Sequence, residues 1–193
     1  DPSLFQIPGP EIQKVGVFVN ESLSALTKNF VIHRLQMVQL HGDESPEYCR
    51  KLSQEGIPAI KALDATIPRA RMDEYKEQVA YVLFDTPGPD RGGTGKKFDW
   101  GLLHKIPTVF SFLLGGGIGP EDARALLELD HPGFLGADVN SRFELSPGVK
   151  DVEKLKVFME KIKTSPLVFL SFDAEKGNQN FAPSYYRFPM RPK

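Results

Sequence analysis

Short apolar runs rich in β-branched residues recur along the chain, with helix-like segments between them. The runs are almost continuously apolar rather than alternating, which is typical of strands buried on both faces of a parallel sheet. They are KVGVFVN (14–20), MVQLHG (37–42), PAIKAL (58–63), YVLFDT (81–86), FSFLLGG (110–116) and FLGADVN (134–140). The pattern therefore predicts six buried strands.

The segments that separate or follow these runs carry helix signals. Ser22 and Ser45 stand where N-caps are expected, and Pro46 occupies a first helical position. Pro120 and two acidic residues predict the first turn of a further helix, and residues 151–163 place their apolar side chains on one helical face. This alternation of strand and helix predicts βαβ units and a parallel sheet.

Two parallel architectures compete, a (β/α)8 barrel and an open doubly wound sheet. The open sheet usually shows a G-x-G-x-x-G or P-loop motif, and neither is present; GGTG (92–95) follows the fourth strand and lacks the last glycine. A barrel instead gathers polar groups at the ends of several strands. That distribution is found here and favours the barrel: Asn20, His41, Lys61, Asp85, the glycines 115–117, Asp138 and Asn140.

Composition narrows the class of protein further. The 193 residues are 40% hydrophobic and 25% charged, which fits one globular domain. A net charge of −1 gives no field to attract nucleic acid or an anionic membrane surface. No run approaches the roughly 20 apolar residues of a membrane span, so we expect a cytoplasmic protein. The single cysteine, Cys49, cannot form an internal disulfide or belong to a cysteine cluster for zinc.

The segment LLGGGIGPEDARALL (113–127) joins a glycine run to a helix start. Backbone N–H groups in such a run can meet a phosphate without obstruction by side chains, whereas a simple turn would need only one glycine. After the last strand, Asp138 and Asn140 lie on one side of the chain and Ser141 follows. Taken alone, such residues are usually turn formers. Together with the glycine run they predict a phosphate site.

Three other polar residues are candidates for chemistry. Gln39 and His41 are two residues apart and point the same way from a strand, which favours a pair that faces a ligand. The alternative is a structural histidine bonded to a neighbouring strand end. Asp85 ends a strand at a barrel mouth, where it can act as a general acid; the alternative is a cap of the turn TPGPD. Cys49 is predicted to pack in an outer helix and not to act as a nucleophile.

With these residues in place, the chain resembles the phosphoribosylanthranilate isomerase family of tryptophan biosynthesis. The resemblance covers residues 14–163 and rests on five motifs in the family's order. They are KVGVFVNES, VQLHGDESPEYCRKL, LFDTPGPDRGGTGKKFDW, LLGGGIGPEDA and ADVNSRFELSPGVKD.

The resemblance implies a (β/α)8 barrel that catalyses an Amadori rearrangement of N-(5′-phosphoribosyl)anthranilate without cofactor or metal. It implies that Asp85 is the general acid. It further implies contacts to anthranilate and ribose from Gln39, His41 and Asp138, and a phosphate site formed by Gly116, Gly117, Asn140 and Ser141. The implied partner is a small phosphorylated substrate, and the protein is expected to be a monomer or a homodimer.

The chain also departs from the family pattern. The family opens with a K-I-C-G strand whose cysteine is the general base, and these residues contain no such segment. KVGVFVN corresponds to the family's third strand, so the barrel is expected to be incomplete at its N-terminus, with six βα units in residues 1–163. Residues 164–193 are expected to form a C-terminal extension, in which SPLVFLSF can add one strand. Arg142 stands where glycine is common in the family, which suggests a positive charge near the phosphate.

Two rival functions remain at this stage. Indole-glycerol-phosphate synthase is also a phosphate-binding barrel, but it depends on catalytic lysines and glutamates at strand ends, and only Lys61 suits that role here. The second rival is a catalytically inactive barrel that only binds a phosphorylated ligand. The absence of the K-I-C-G cysteine supports the hypothesis of an inactive barrel.

Overall fold

A computed structural model describes residues 12–85, 99–146, 148–162, 168–170 and 181–187. Short 3-10 helices lie at Trp100–Lys105, Pro120–Asp122 and Ser141–Phe143. The strands and α-helices follow in chain order: β1 (Ile12–Phe18), α1 (Leu23–Ile32), β2 (Met37–Leu40), α2 (Pro46–Gln54), β3 (Ala59–Asp64), α3 (Arg69–Asp73), β4 (Tyr81–Asp85), β5 (Phe112–Leu114), α4 (Ala123–Leu127), β6 (Phe134–Val139), β7 (Glu144–Ser146), β8 (Val149–Lys150), α5 (Val152–Ile162), β9 (Val168–Leu170) and β10 (Phe181–Arg187).

The main sheet closes into a barrel in the order β1-β10-β9-β6-β5-β4-β3-β2. Strands β1 to β6 pair in parallel with their sequence neighbours, which confirms the six predicted strands and their parallel arrangement in a barrel. The remaining arc is filled from the C-terminal part of the chain. There β9 runs parallel to β6, and β10 runs antiparallel to both β9 and β1. The extra strand predicted within SPLVFLSF is therefore present, and β10 is a further one that the sequence did not indicate.

Strand residues divide between the two faces of the sheet with period two. The barrel interior contains a compact apolar cluster, and the other face of each strand packs under the helices in a larger one. Strands β2 and β3 are buried along almost their whole length because both faces are covered. The interior cluster consists of Val15, Met37, Ile60, Ala62, Leu83 and Leu113.

The helices begin where the caps predict. The Ser22 side chain accepts from the Ala25 N–H group and that of Ser45 from the Tyr48 N–H group, while Pro46 opens α2. The helix predicted at Pro120 is shorter than its pattern suggested. The Asp122 carboxylate turns back to accept from the Gly119 N–H group, which tightens the first turn into a 3-10 helix before α4.

Within the described part of the chain, no helix is both long and apolar enough to cross a membrane.

Candidate active site

Polar groups from β2 and β4, two strands that β3 separates, meet at the carboxyl rim of the barrel. Gln39 shares the inward face of β2 with Met37, and Asp85 shares the inward face of β4 with Leu83. The imidazole of His41 joins the two. Its Nδ1 atom lies 3.1 Å from Gln39 Nε2, and its Nε2 atom lies 3.0 Å from Asp85 Oδ2.

The order of these contacts fixes where protons lie. The Gln39 amide nitrogen can only donate, so His41 Nδ1 is the acceptor and His41 Nε2 carries the ring proton. Nε2–H then donates to Asp85 Oδ2. The His41 and Asp85 side chains are 19% and 17% exposed, so the pair is sheltered yet reachable from the rim. A carboxyl group held in this way can take up or release a proton toward a ligand.

Gly115 leaves space beside this carboxyl group. A Cβ atom at position 115 would lie 3.5 Å from Asp85 Oδ1 and 3.2 Å from Leu83 Cδ1. The Gly115 N–H group donates to the Phe84 carbonyl at 2.8 Å, which anchors the start of the glycine run to β4. The run thus begins next to the predicted acid.

Gly116 and Gly117 are both in the left-handed region, with φ of 78° and 66°. Only glycine adopts such angles in succession at low cost, which accounts for the two glycines. Both residues are partly exposed at the rim. No side chain at these two positions stands between the backbone and a ligand at the rim, an arrangement that suits an anion.

The loop after β6 carries the other predicted phosphate residues. Ser141 opens a 3-10 helix, and the side-chain Oδ1 of Asn140 accepts from Lys150 Nζ on β8. Lys150 also donates to Glu144 Oε1 at 2.6 Å, and its side chain is 3% exposed. Because an ammonium group can only donate, it holds the side-chain oxygen of Asn140 toward β8.

Arg142 connects this loop to the glycine segment. Its guanidinium group lies 2.6 Å from Glu121 Oε1, in the 3-10 helix that follows Gly119. The ion pair is about half exposed, so it adds little to stability. It does bring the two predicted phosphate segments next to each other. The positive charge expected near the phosphate is shared with a carboxylate.

Asp138 lies one residue before the end of β6 and is partly buried. Hydrogen bonds thus join Gln39, His41 and Asp85, while Asn140 belongs to the neighbouring network with Lys150. The turn TPGPD and the loop expected to cover Asp85 fall in residues 86–98, outside the described residues.

Two buried charged residues near the rim, Lys150 and Glu44, were not predicted from the sequence. Lys150 lies in β8, which pairs with β7, and the Pro-Gly pair at 147–148 of the sequence is a turn signal that could have indicated this hairpin. Glu44 was hidden because it falls between a strand and a helix cap, where an exposed acid is the usual case. It is 5% exposed and pairs with Lys61 at 3.1 Å.

Cys49 lies in α2 and is fully buried in the outer core, as predicted. Burial raises the pKa of the Cys49 thiol to about 11. A thiol of this kind is protonated at neutral pH and cannot serve as the general base.

Among the side chains that the structure describes, no group of three or more His, Cys, Asp and Glu residues lies close enough together to hold a metal ion.

A barrel of mainly parallel strands, with polar groups at its carboxyl rim and a glycine segment beside them, defines a class, the (β/α)8-barrel proteins that take small ligands at that rim. A family model for N-(5′-phosphoribosyl)anthranilate (PRA) isomerase matches residues 5–161. The N-(5′-phosphoribosyl)anthranilate isomerase of Parabacteroides distasonis is 43% identical over 152 residues, which cover 78% of this chain and 69% of the relative.

Solved structures agree with the sequence comparisons. Monomers of the dimeric isomerase from Thermotoga maritima align with a TM-score of 0.63 and 34% identity, over 78% of this chain and 72% of that one. A phosphoribosyl anthranilate isomerase in complex with reduced 1-(o-carboxyphenylamino)-1-deoxyribulose 5-phosphate aligns with a TM-score of 0.67 and 32% identity, over 85% and 80%. The chain belongs to the N-(5′-phosphoribosyl)anthranilate isomerase family. The predicted family, barrel fold and isomerase function are thereby confirmed.

Proposed function

We propose that the rim described above is the isomerase site and that Asp85 is its general acid. The observation that carries this proposal is the hydrogen bond between His41 Nε2 and Asp85 Oδ2, at the mouth of the barrel and next to Gly115. In the Amadori rearrangement, Asp85 protonates the furanose ring oxygen of N-(5′-phosphoribosyl)anthranilate and the ring opens. His41 keeps the carboxyl group oriented during that step.

The remaining substrate contacts follow from the same arrangement. Gln39, His41 and Asp138 contact the anthranilate and ribose parts of the substrate. The backbone of Gly116 and Gly117, with Asn140 and Ser141, binds the phosphate. The left-handed glycines support this assignment, as does the Arg142–Glu121 ion pair that brings the two loops together.

Removal of the C2′ proton needs a base. The family resemblance assigns that step to the cysteine of a K-I-C-G segment that these 193 residues do not contain. Cys49 does not replace it, because it is buried in α2 and its pKa is raised. We therefore assign the acid step, and not the base step, to residues of this chain.

The partner is a small phosphorylated substrate, and the ligand named for the aligned isomerase complex supports that class. A dimer is one of the two oligomeric states we propose, since the aligned Thermotoga maritima enzyme is described as dimeric. Cytoplasmic location also stays a prediction.

The experiment follows substrate fluorescence as the anthranilate adduct is consumed. We expect isomerisation when a K-I-C-G segment precedes this chain, and a loss of at least a hundredfold in rate on Asp85→Asn, since an amide cannot donate the proton. The matched control is Asp73→Asn, an exposed residue in α3. Unchanged turnover by Asp85→Asn would remove the acid from the mechanism.

A second measurement separates the enzyme from the alternative of a non-catalytic barrel. Calorimetry with reduced 1-(o-carboxyphenylamino)-1-deoxyribulose 5-phosphate reports binding without turnover. If the chain binds this analogue both with and without a preceding K-I-C-G segment, and neither protein turns over substrate, the result would favour the inactive barrel that only binds a phosphorylated ligand.

A further inference from the structure

Lys61 is a buried charged residue that the reaction steps above do not use. Its neighbours in β3, Ile60 and Ala62, pack in the barrel interior, so strand alternation turns Lys61 to the opposite face, under the helices. The side chain is only 2% exposed. A buried ammonium group needs acceptors for all three of its protons, and their identity shows what it does.

All three acceptors of Lys61 lie in one short loop. Nζ is 3.1 Å from the Leu40 carbonyl, 2.8 Å from the Gly42 carbonyl and 3.1 Å from Glu44 Oε2. The two carbonyl groups stand immediately before and after His41 in the chain. One buried cation therefore fixes the backbone on both sides of the imidazole that contacts Asp85.

Glu44 extends this network to the end of β1. Its Oε1 atom accepts from the Asn20 N–H group at 2.8 Å, and its Oε2 atom accepts from the Gly42 N–H group at 2.9 Å. Tyr75 donates its hydroxyl proton to the Glu44 carbonyl at 3.0 Å. The loop that carries His41 is thus tied to its neighbouring strand as well as to β3.

Gly42 shows how closely these groups approach. A Cβ atom at position 42 would overlap with Asn20 Oδ1 and would lie 2.7 Å from the Asn20 backbone nitrogen. The loop therefore has no room to shift toward β1. Its position is determined by the charged pair on one side and by Asn20 on the other.

We infer that Lys61 is a positioning residue for this site: with Glu44 it fixes the backbone around His41, so that the imidazole meets Gln39 and Asp85 together. This inference rests on the proposed function, since it concerns the same imidazole. It also weakens the alternative of an indole-glycerol-phosphate synthase, for which Lys61 was the one suitable lysine. All three protons of Lys61 Nζ are donated to acceptors outside the barrel interior.

The test uses the double variant Lys61→Met/Glu44→Gln, which avoids leaving one buried charge unpaired. The control is Lys51→Met, which removes an exposed lysine of α2 whose nearest carboxylate, Glu47, is 3.8 Å away. Nitrogen-15 NMR of the His41 ring identifies the protonated nitrogen. Calorimetry measures affinity for reduced 1-(o-carboxyphenylamino)-1-deoxyribulose 5-phosphate.

We expect the unchanged protein and Lys51→Met to show one tautomer, with the proton on Nε2. In the double variant we expect signals averaged between the two tautomers and about tenfold weaker binding of the analogue. A lower unfolding temperature with an unchanged His41 signature and affinity would show that the pair only stabilises the fold, and would overturn the inference.

A measurement on the unaltered protein covers the case in which the double variant does not fold. The Lys61 ammonium protons should exchange slowly and show scalar coupling to the Leu40 and Gly42 carbonyl carbons. Rapid exchange without coupling would contradict the inference. If the unaltered protein does not bind the analogue, the proposed function fails, while the two NMR results still decide the role of Lys61.

Discussion

At the scale of single residues, the histidine at the rim has two defined partners. His41 receives a hydrogen bond from Gln39 and donates one to Asp85. The sequence left open whether His41 faces a ligand or bonds to a neighbouring strand end. His41 bonds to the end of β4, two strands away from β2, and its contact with a ligand stays a proposal.

The first prediction at this scale concerns His41→Asn. Loss of the ring removes the contact that orients Asp85 and one proposed contact to the substrate, so affinity for the reduced analogue should fall about tenfold. The matched control is His104→Asn, an exposed histidine in the 3-10 helix Trp100–Lys105. Calorimetry checks both variants. Equal affinity in all three proteins would exclude His41 from the ligand site.

The second prediction concerns Cys49 and alkaline pH. Burial raises the pKa of the thiol to about 11, so the folded state retains the proton that the unfolded chain releases near pH 8.5. The contribution of the protonated thiol to the free energy of unfolding is complete below about pH 8.5 and is lost as the pH rises through about 11. Urea unfolding should therefore show the stability gap between the unchanged protein and Cys49→Ala shrinking between pH 8.5 and 11. A constant gap would contradict it.

At the scale of elements, the helix that follows the His41 loop begins with a strong local signal. Ser45 accepts from the Tyr48 N–H group at 3.2 Å, and Pro46 has the first helical position. This cap fixes where the loop ends and α2 begins. It lies directly after Glu44, so the start of the helix and the Lys61 network share one boundary.

We expect Ser45→Ala to lower the free energy of unfolding by about 1 kcal/mol, because the Tyr48 N–H group loses its side-chain acceptor. Ser53→Ala makes the same change in the last turn of α2, at an exposed position. It should be neutral or slightly stabilising, since alanine is the better helix former. Denaturant unfolding of both variants checks this. Equal losses would mean that the cap contributes nothing specific.

At the scale of the whole molecule, closure of the barrel depends on strands distant in sequence. β1 is paired on one side with β2 and on the other with β10, over seven residue pairs. An open edge at β1 would leave its backbone groups unpaired. The C-terminal strands therefore complete the fold that the first six strands begin.

Deleting residues 181–193 should increase amide hydrogen exchange in β1 by at least tenfold at the positions that face β10. Exchange in β3 and β4, which pair with each other away from this edge, provides the internal control. Mass spectrometry of the two proteins measures both regions. Unchanged protection of β1 would show that β10 does not close the barrel.

Local sequence patterns predicted many of the strands and helix starts. Apolar runs located β1 to β6, because a strand buried on both faces must be apolar throughout. Ser22, Ser45 and Pro46 located two helix starts, because caps act within one turn. The shortened helix at Pro120 was not predicted, since it depends on the Asp122 side chain turning back to Gly119.

The sequence by itself determined β1 to β6, the caps, the position of the glycine run and the residue types available at the rim, since each depends on neighbours a few positions away. The tertiary structure alone decided the contact between His41 and Asp85, which are 44 positions apart, and the burial of Lys61 against Glu44. It also decided the closure by β9 and β10. Such contacts depend on how strands are ordered around the barrel, and local spacing does not encode that order.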